Sequence, residues 1–301
     1  MLKKKTRTTA QKQSIAAYLC ITPALLGFFL LTLVPLIAVI YMSLTNWTLL
    51  ADSKFIGFDN YVNLFTEDLF FKKSFFVTVY YAVGTVIGTM VYGFLLALFL
   101  NRPMPGRAAF RTIYYLPSIV PAIVNSVLWM WVYDPDFGLF NLILKPLGIK
   151  SMWLFSERTS IPSLIIMAMW ASGNIMIIFL AGLQDVPKAY LEAVEIDGGN
   201  FWHKFRHVTL PMMTPVIFFN FLMGVIRDLQ VFTPAYVMTN GGPNNSTLFM
   251  VYFIYREAFQ NNNMGYACAI SFFFFIVVAI LTVIVFKSSN SWVFYEGGDD
   301  K

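Results

Sequence analysis

The sequence predicts an all-α membrane protein with six transmembrane helices. Three observations carry that prediction. Of 301 residues, 58% are hydrophobic and only 12% charged, about half the charged fraction of a soluble domain. Apolar runs near the roughly 20 residues that cross a bilayer recur at 14–44, 74–100, 112–133, 161–183, 212–231 and 264–286. The basic residues are biased toward the segments an even number of spans would leave in the cytoplasm. Thirteen Lys and Arg fall in those inside segments and seven outside; with Arg227 in a span, this accounts for all 21.

Residues 1–13 hold five basic residues and no acid. The apolar run that follows is about twice as long as a signal-peptide core, and no small-residue cleavage site ends it. It is expected to be an uncleaved first span, with Pro23 and Pro35 as kinks that neighbouring helices tolerate. Residues 45–73 alternate Asp, Asn and aromatics, the pattern of a short extracytoplasmic cap. Arg102, Arg107 and Arg111 stand in a loop without acids, which marks it as cytoplasmic. The segments 134–160 and 232–262 fall outside, the latter with a turn-rich NGGPNN at 240–245, and 287–301 forms a cytoplasmic tail. Cys20 and Cys268 lie within apolar runs and read as small hydrophobes, not as a disulfide.

Several chemistries find no residues to carry them. The chain has no GxxxxGK[ST], GxSxG, HExxH or CxxC, and so no nucleotide or hydrolase motif of those kinds. His203 and His207 share a helical spacing, but Lys204 and Arg206 lie between them and no carboxylate joins that face. A basic helix face explains them better than a metal site. The net charge of +5 is concentrated at the N-terminus and in one short loop, where it orients the chain in a membrane instead of gripping nucleic acid. The residues therefore predict no catalytic activity and no bound cofactor or metal.

One polar island, residues 185–215 (DVPKAYLEAVEIDGGNFWHKFRHVTLPMMTP), stands out among the apolar spans. Pro187 suits the first position of a helix that continues through KAYLEAVEI with Glu192 and Glu195 toward water. Gly198 and Gly199 can end it in the left-handed conformation. Asn200 can cap a second short helix, in which Phe201, Phe205 and Val208 share a face. Pro211 and Pro215 lead into the fifth span. On these residues alone, the island is either a compact knob or an amphipathic connector resting on the membrane surface.

Polar residues also occur within the spans, where they are costly and usually face a cavity or the bundle interior. Ser118 and Asn125 lie two turns apart, and Trp170 and Asn174 one turn apart. Asn220, Arg227 and Asp228 lie along the fifth span. Arg227 and Asp228 are adjacent and should point roughly 100° apart, an arrangement poor for pairing. These groups either line a solute pathway or hold helices together by hydrogen bonds.

The island also carries a resemblance. Glu192, Ala193, Gly198, Leu210 and Pro211 match in register the EAA motif of permease subunits of binding-protein-dependent ABC importers; Val194 replaces the usual second alanine and Val208 a common isoleucine. FIGFDNYVNLF, YYLPSIVPA, AGLQDVPKAYLEA and TNGGP further resemble the carbohydrate-uptake branch, which includes maltose and glycerol-3-phosphate permeases. The resemblance runs from the first span onward. It implies the ABC type I importer permease fold: a transmembrane domain over 14–286 with a coupling loop at 184–211. Glu192, Ala193, Asp197 and Gly198 would contact the ATPase. The maltose-type permeases also support a substrate pathway near Ser118, Trp170, Gly224 and Arg227.

The implied function is that of a non-catalytic, membrane-spanning half of an ATP-driven sugar or oligosaccharide importer. Its partners would be a second homologous permease, two ABC ATPase subunits that bind the ATP and Mg, and an extracytoplasmic solute-binding protein. The setting would be a bacterial or archaeal cell membrane with both termini cytoplasmic. Alternatives are a glycerol phosphate or other polyol as cargo, or an ion-coupled secondary transporter relying on Asp228, the lone intramembrane carboxylate. A membrane-embedded enzyme is disfavoured by the scarcity of His and Cys.

Overall fold

Lipid offers a backbone no hydrogen-bond partner, so a chain this apolar must satisfy its peptide groups within helices. The computed structural model describes residues 9–48 and 53–294, and among them it is all-helical apart from one isolated bridge between Thr45 and Phe55. The basic residues Lys3, Lys4, Lys5 and Arg7, and Lys301 at the end of the tail, lie outside the described residues. Among the described residues, four helical stretches are long and apolar enough to cross a membrane: Ala17–Ser43, Leu69–Asn101, Phe201–Leu229 and Met264–Ser291. Two bent helix pairs bring the number to six if each is one span.

The chain divides into two compact units, Met1–Thr66 with Arg256–Phe273, and Glu67–Tyr255 with Phe274–Lys301. In the first unit, α1 (Thr9–Phe28) continues through a π turn, Phe29–Leu33, into α2 (Val34–Ser43). The π turn has a local cause. The Pro35 ring would collide with the carbonyl of Leu31 four residues back, and widening that turn relieves the clash. Most of this rod is exposed, Leu31 to 80%, as expected of a face that meets hydrocarbon. Its end is tied to α3 (Asp59–Thr66): the Asn60 amide donates to the carbonyls of Ser43 and Thr45 at 2.8 and 2.9 Å.

The second unit is built on α4 (Leu69–Asn101), 33 residues and about 50 Å long at 1.5 Å per residue. Asp68 caps it, its Oδ1 accepting from the amides of Phe70 and Phe71. A row of small residues lets other helices approach closely. A Cβ on Gly84 would stand 2.5 Å from Ile165 Cδ1, one on Gly88 3.0 Å from Met169 Sδ, and one on Gly93 3.0 Å from Ile175 Cγ2. Those partners belong to α8 (Ser160–Trp170) and α9 (Gly173–Asp185). Below them Ala97, Leu100, Met176, Phe179, Leu180 and Met213 close a core with almost no exposure.

The expected third and fourth spans are both broken. α5 (Arg107–Tyr115) and a 3₁₀ turn, Leu116–Ile119, meet α6 (Ala122–Val132) at 102°, and α8 meets α9 at 49°. At the first break Pro121 pushes Val120 into an extended conformation, ψ 130°. At the second, Gly173 passes so close to α5 that a Cβ would lie 2.3 Å from the Tyr114 carbonyl oxygen and 2.8 Å from Tyr115 Cα. Beyond α6, Leu139–Leu144 forms α7.

The expected fifth span begins earlier than its hydropathy suggests. α10 (Lys188–Ile196) is separate, but α11 (Phe201–Lys204) runs through a π turn, Phe205–Thr209, into α12 (Leu210–Leu229). Pro211 again stands four residues beyond a position inside the widened turn, His207. The segment 232–262, which composition suggests is an external loop, is largely packed. Leu248, Phe249 and Met250 are fully buried, the Met250 amide donates to Thr78 Oγ1 at 2.8 Å, and Met250–Tyr255 forms α13. The last span is α14 (Met264–Ser288).

The Gly173 contact gives a direct test. Its neighbours are backbone atoms that cannot swing aside, so Gly173→Ala is expected to cost about 1–3 kcal/mol and lower the thermal midpoint in detergent. Gly27→Ala, inside a helix and with nothing within 4 Å of the added methyl, should not lower the midpoint. Equal midpoints would show that the α5–α9 crossing is not held in this way.

Candidate functional site

Two features of the second unit combine exposed polar chemistry with a defined shape. The first is the knob formed by α10, the glycine pair and α11. No residue of α10 is buried; Glu192, Ala193, Asp197 and Gly198 are all exposed, and Ile196 is exposed to 86%. The helix ends in the left-handed turn its glycines predict. Gly198 has φ +77°, its amide donates to the Glu195 carbonyl, and the Gly199 amide donates to the Val194 carbonyl at 2.8 Å, the closure of a helix C-terminus by glycine. Gly199 has no room for a side chain, since a Cβ would meet Val194 Cγ1 at 2.4 Å.

Asn200 then starts α11. Its Oδ1 accepts from the amides of Trp202 and His203 at 3.0 and 3.1 Å. Lys204 reaches back across the turn to an ion pair with Glu195. The result is a rigid, outward-facing elbow. His203 and His207 stack 6.2 Å apart, and among the described residues no group of three potential metal ligands occurs there or elsewhere.

The second feature is a cavity of about 430 Å³, open at one side. Ser118, Asn125, Asn174, Arg227 and Asp228 line it, joined by Tyr81, Ser126, Gln230 and Phe232. The two helix breaks border it: Ser118 lies in the kink between α5 and α6, Ser172 in that between α8 and α9, and Asn174 in the first turn of α9. Asn125 is buried and its Oδ1 has no hydrogen-bond partner. Ser118 and Ser126 donate to the carbonyls of Tyr115 and Ala122, which leaves their oxygen lone pairs free to accept. The wall therefore sets hydroxyls and amides beside Arg227, Asp228 and the rings of Tyr81 and Phe232.

Arg227 and Asp228, whose helical phase argued against pairing, do pair. The guanidinium bends along the helix surface and donates from Nε to Oδ1 at 2.8 Å and from Nη2 to Oδ2 at 3.2 Å. A 100° offset between Cα–Cβ directions is bridged by the length of the arginine side chain. Asp228 is 6% exposed and Arg227 48%, so the carboxylate is shielded while the cation borders the cavity.

Three residues expected along the pathway do not line this cavity. Trp170 packs edge-on to Trp129, ring centroids 5.6 Å apart. Asn220 is buried and donates to the Val216 carbonyl of its own helix. Gly224 lets Val86 of α4 approach, with 3.5 Å to an added Cβ. Conversely, Tyr81, Ser126 and Phe232 escaped the sequence reading. Ser126 adjoins Asn125, but Tyr81 lies in an apolar run with nothing in its surroundings to single it out.

Residues 84–293 match the family described as binding-protein-dependent transport system inner membrane component. The chain belongs to that family. It is 36% identical to the probable ABC transporter permease protein YesP of Bacillus subtilis, over 99% of this chain and 97% of the relative. It is 33% identical to the arabinooligosaccharides transport system permease protein AraP of the same organism, covering 92% and 89%. With the trehalose/maltose transport system permease protein MalF of Thermococcus litoralis it shares 31% identity over 92% and 94%. The fold is that of a solved bacterial ABC transporter involved in the import of the acidic polysaccharide alginate: TM-score 0.82 at 23% identity, covering 93% of this chain and 96% of the other. The family match spans the permease's knob and every cavity residue named above except Tyr81.

The unequal burial of the permease's ion pair makes its loss asymmetric. Removing one partner of a buried pair costs about 3–5 kcal/mol when the other is left uncompensated. Arg227→Met strands the shielded carboxylate, whereas Asp228→Asn leaves a half-exposed guanidinium that water can reach. Arg227→Met should therefore lower the thermal midpoint in detergent more than Asp228→Asn. The reverse order would show that the cation is the more buried charge.

Proposed function

We propose that this permease forms half of the translocation pathway of an ATP-driven importer of sugars or short oligosaccharides. The observation that carries the reading is the bare elbow at 185–211. A helix–glycine–helix projection whose tip helix buries none of its residues is suited to insertion into another protein, and it holds Glu192, Ala193 and Gly198 in the register of the EAA motif. Small Ala193 permits close approach, and Glu192 can accept charge-assisted hydrogen bonds from a partner. On this reading the partners are two ABC ATPase subunits that bind the ATP and Mg, so the chain is itself non-catalytic and holds no cofactor.

The cavity supports a carbohydrate cargo. Hydroxyls, amides and Tyr81 match the hydrogen-bonding girdle and weakly apolar face of a sugar, and the names of AraP and MalF point the same way. Because Asp228 neutralises Arg227, this wall carries no net charge among the residues that line it, which favours a neutral saccharide over a glycerol phosphate. Engagement of Asp228 in that pair also speaks against an ion-coupled carrier. The remainder of the assembly would be a second homologous permease closing the cavity and an extracytoplasmic binding protein delivering substrate. With Arg102, Arg107, Arg111 and the knob in the cytoplasm, both termini lie there too.

Two substitutions test this in the full complex. Glu192→Lys reverses the charge at the tip, and Gly198→Val forces a β-branched residue to φ +77°, at about 1–2 kcal/mol for the left-handed conformation alone. Each is expected to cut uptake at least tenfold while membrane levels of the permease hold. Wild-type uptake and ATP hydrolysis in both would refute the assignment.

A further inference from the structure

The elbow is joined covalently to α9 and α12, yet its side chains fasten it to a third helix. Phe205, at the base of α11, lies 6.2 Å from Phe94 of α4, centroid to centroid. Phe201 stacks on Phe205 at 6.3 Å with planes 16° apart. The Arg102 guanidinium, immediately beyond the last residue of α4, sits over the Phe201 ring at 5.4 Å, within the distance at which a cation is attracted to a ring face. Phe94 in turn packs edge-on to Phe179 in the core, 5.2 Å away. The tip helix α10 buries nothing of its own and is clamped to α11 by Glu195–Lys204. Force applied to the tip therefore has a route to α4 through α11, besides the covalent link to α9.

We propose that Arg102, Phe201, Phe205 and Phe94 form a strap that makes α4 follow the elbow. Resting on the reading that the elbow receives ATPase motion, this assigns positioning roles to residues outside the EAA motif. Without the strap, a displaced elbow would pull mainly on α12, with which α11 is continuous. With it, the two opposed helices α4 and α12 are gripped at the same end. Both are rigid rods that reach the cavity, α4 through Tyr81 and α12 through Arg227 and Asp228. The strap thus displaces two cavity walls together, a geometry that converts one push into a change of access.

The test needs no knowledge of the cargo. In the reconstituted complex, with Cys20 and Cys268 replaced by serine, Ser118→Cys serves as a reporter in the cavity. Its labelling rate by a membrane-impermeant maleimide is measured with and without ATP plus vanadate. Arg102 is solvent-exposed, so Arg102→Gln should fold normally and keep its ATPase subunits. It is expected to reduce the vanadate-induced change in labelling at least fivefold, as is Phe205→Ala. Arg102→Lys, which retains the cation, should keep the change within about twofold of wild type. Arg102→Gln with Phe201→Leu should be no worse than either alone. A full response in Arg102→Gln and Phe205→Ala, or a loss matched by departure of the ATPase subunits, overturns the strap. Failure of the underlying reading looks different: the Ser118→Cys reporter would ignore nucleotide even with the strap intact.

Discussion

A helix in lipid satisfies its own backbone and gains little by meeting another helix, since hydrocarbon and leucine are equivalent company. What draws helices together is close, complementary contact, and in this permease α4 supplies it. Gly84, Gly88 and Gly93 follow one stripe, and the side chains of Ile165, Met169 and Ile175 fill the space that a Cβ on each would need. The stripe seats both halves of a bent span against one straight rod. Everything functional hangs from that seat: the bend that opens the cavity, the Asn174 amide beside it, and the core around Phe179 that carries Phe94 and the elbow.

Three irregularities of the structure trace to proline. Proline removes an amide and collides with the carbonyl four residues back, and the chain answers according to what surrounds it. In the rods ending at Ser43 and Leu229 the answer is a π turn, which keeps the helix continuous. At Pro121 the helix breaks through 102° instead, and the freed groups border a cavity, where non-helical backbone is tolerated at membrane depth. The same residue type thus preserves a rod in one place and builds a site in another.

How legible the site was depends on the range of the interactions behind it. The elbow was legible almost residue by residue: Gly198, Gly199 and Asn200 each act within a turn of themselves, and Pro187 falls one position short of its expected place, preceding the first residue of α10 in an extended conformation instead of opening the helix. The cavity was less so. Ser118, Asn125, Asn174, Arg227 and Asp228 were conspicuous as polar groups in apolar runs, but so were Trp170 and Asn220, which face helix packing instead. Polarity within a span announces a cost; it does not say which neighbour meets it. The Arg227–Asp228 pair shows the limit clearly, because helical phase fixes where side chains start and not where a long one ends.

From its sequence alone, this protein was determined to be an all-helical membrane chain with a glycine-hinged elbow bearing the EAA pattern. Hydropathy, charge bias and turn chemistry are properties of contiguous residues, and no packing can undo them. Only the tertiary structure decided that two spans would break, that 248–253 would fold inward, and that Tyr81 would face Asp228's cavity. It also decided that Phe201 and Arg102, about a hundred positions apart, would meet. Those outcomes depend on which surfaces fit closely enough to pack in a solvent that favours none of them, and fit is a property of the assembled bundle.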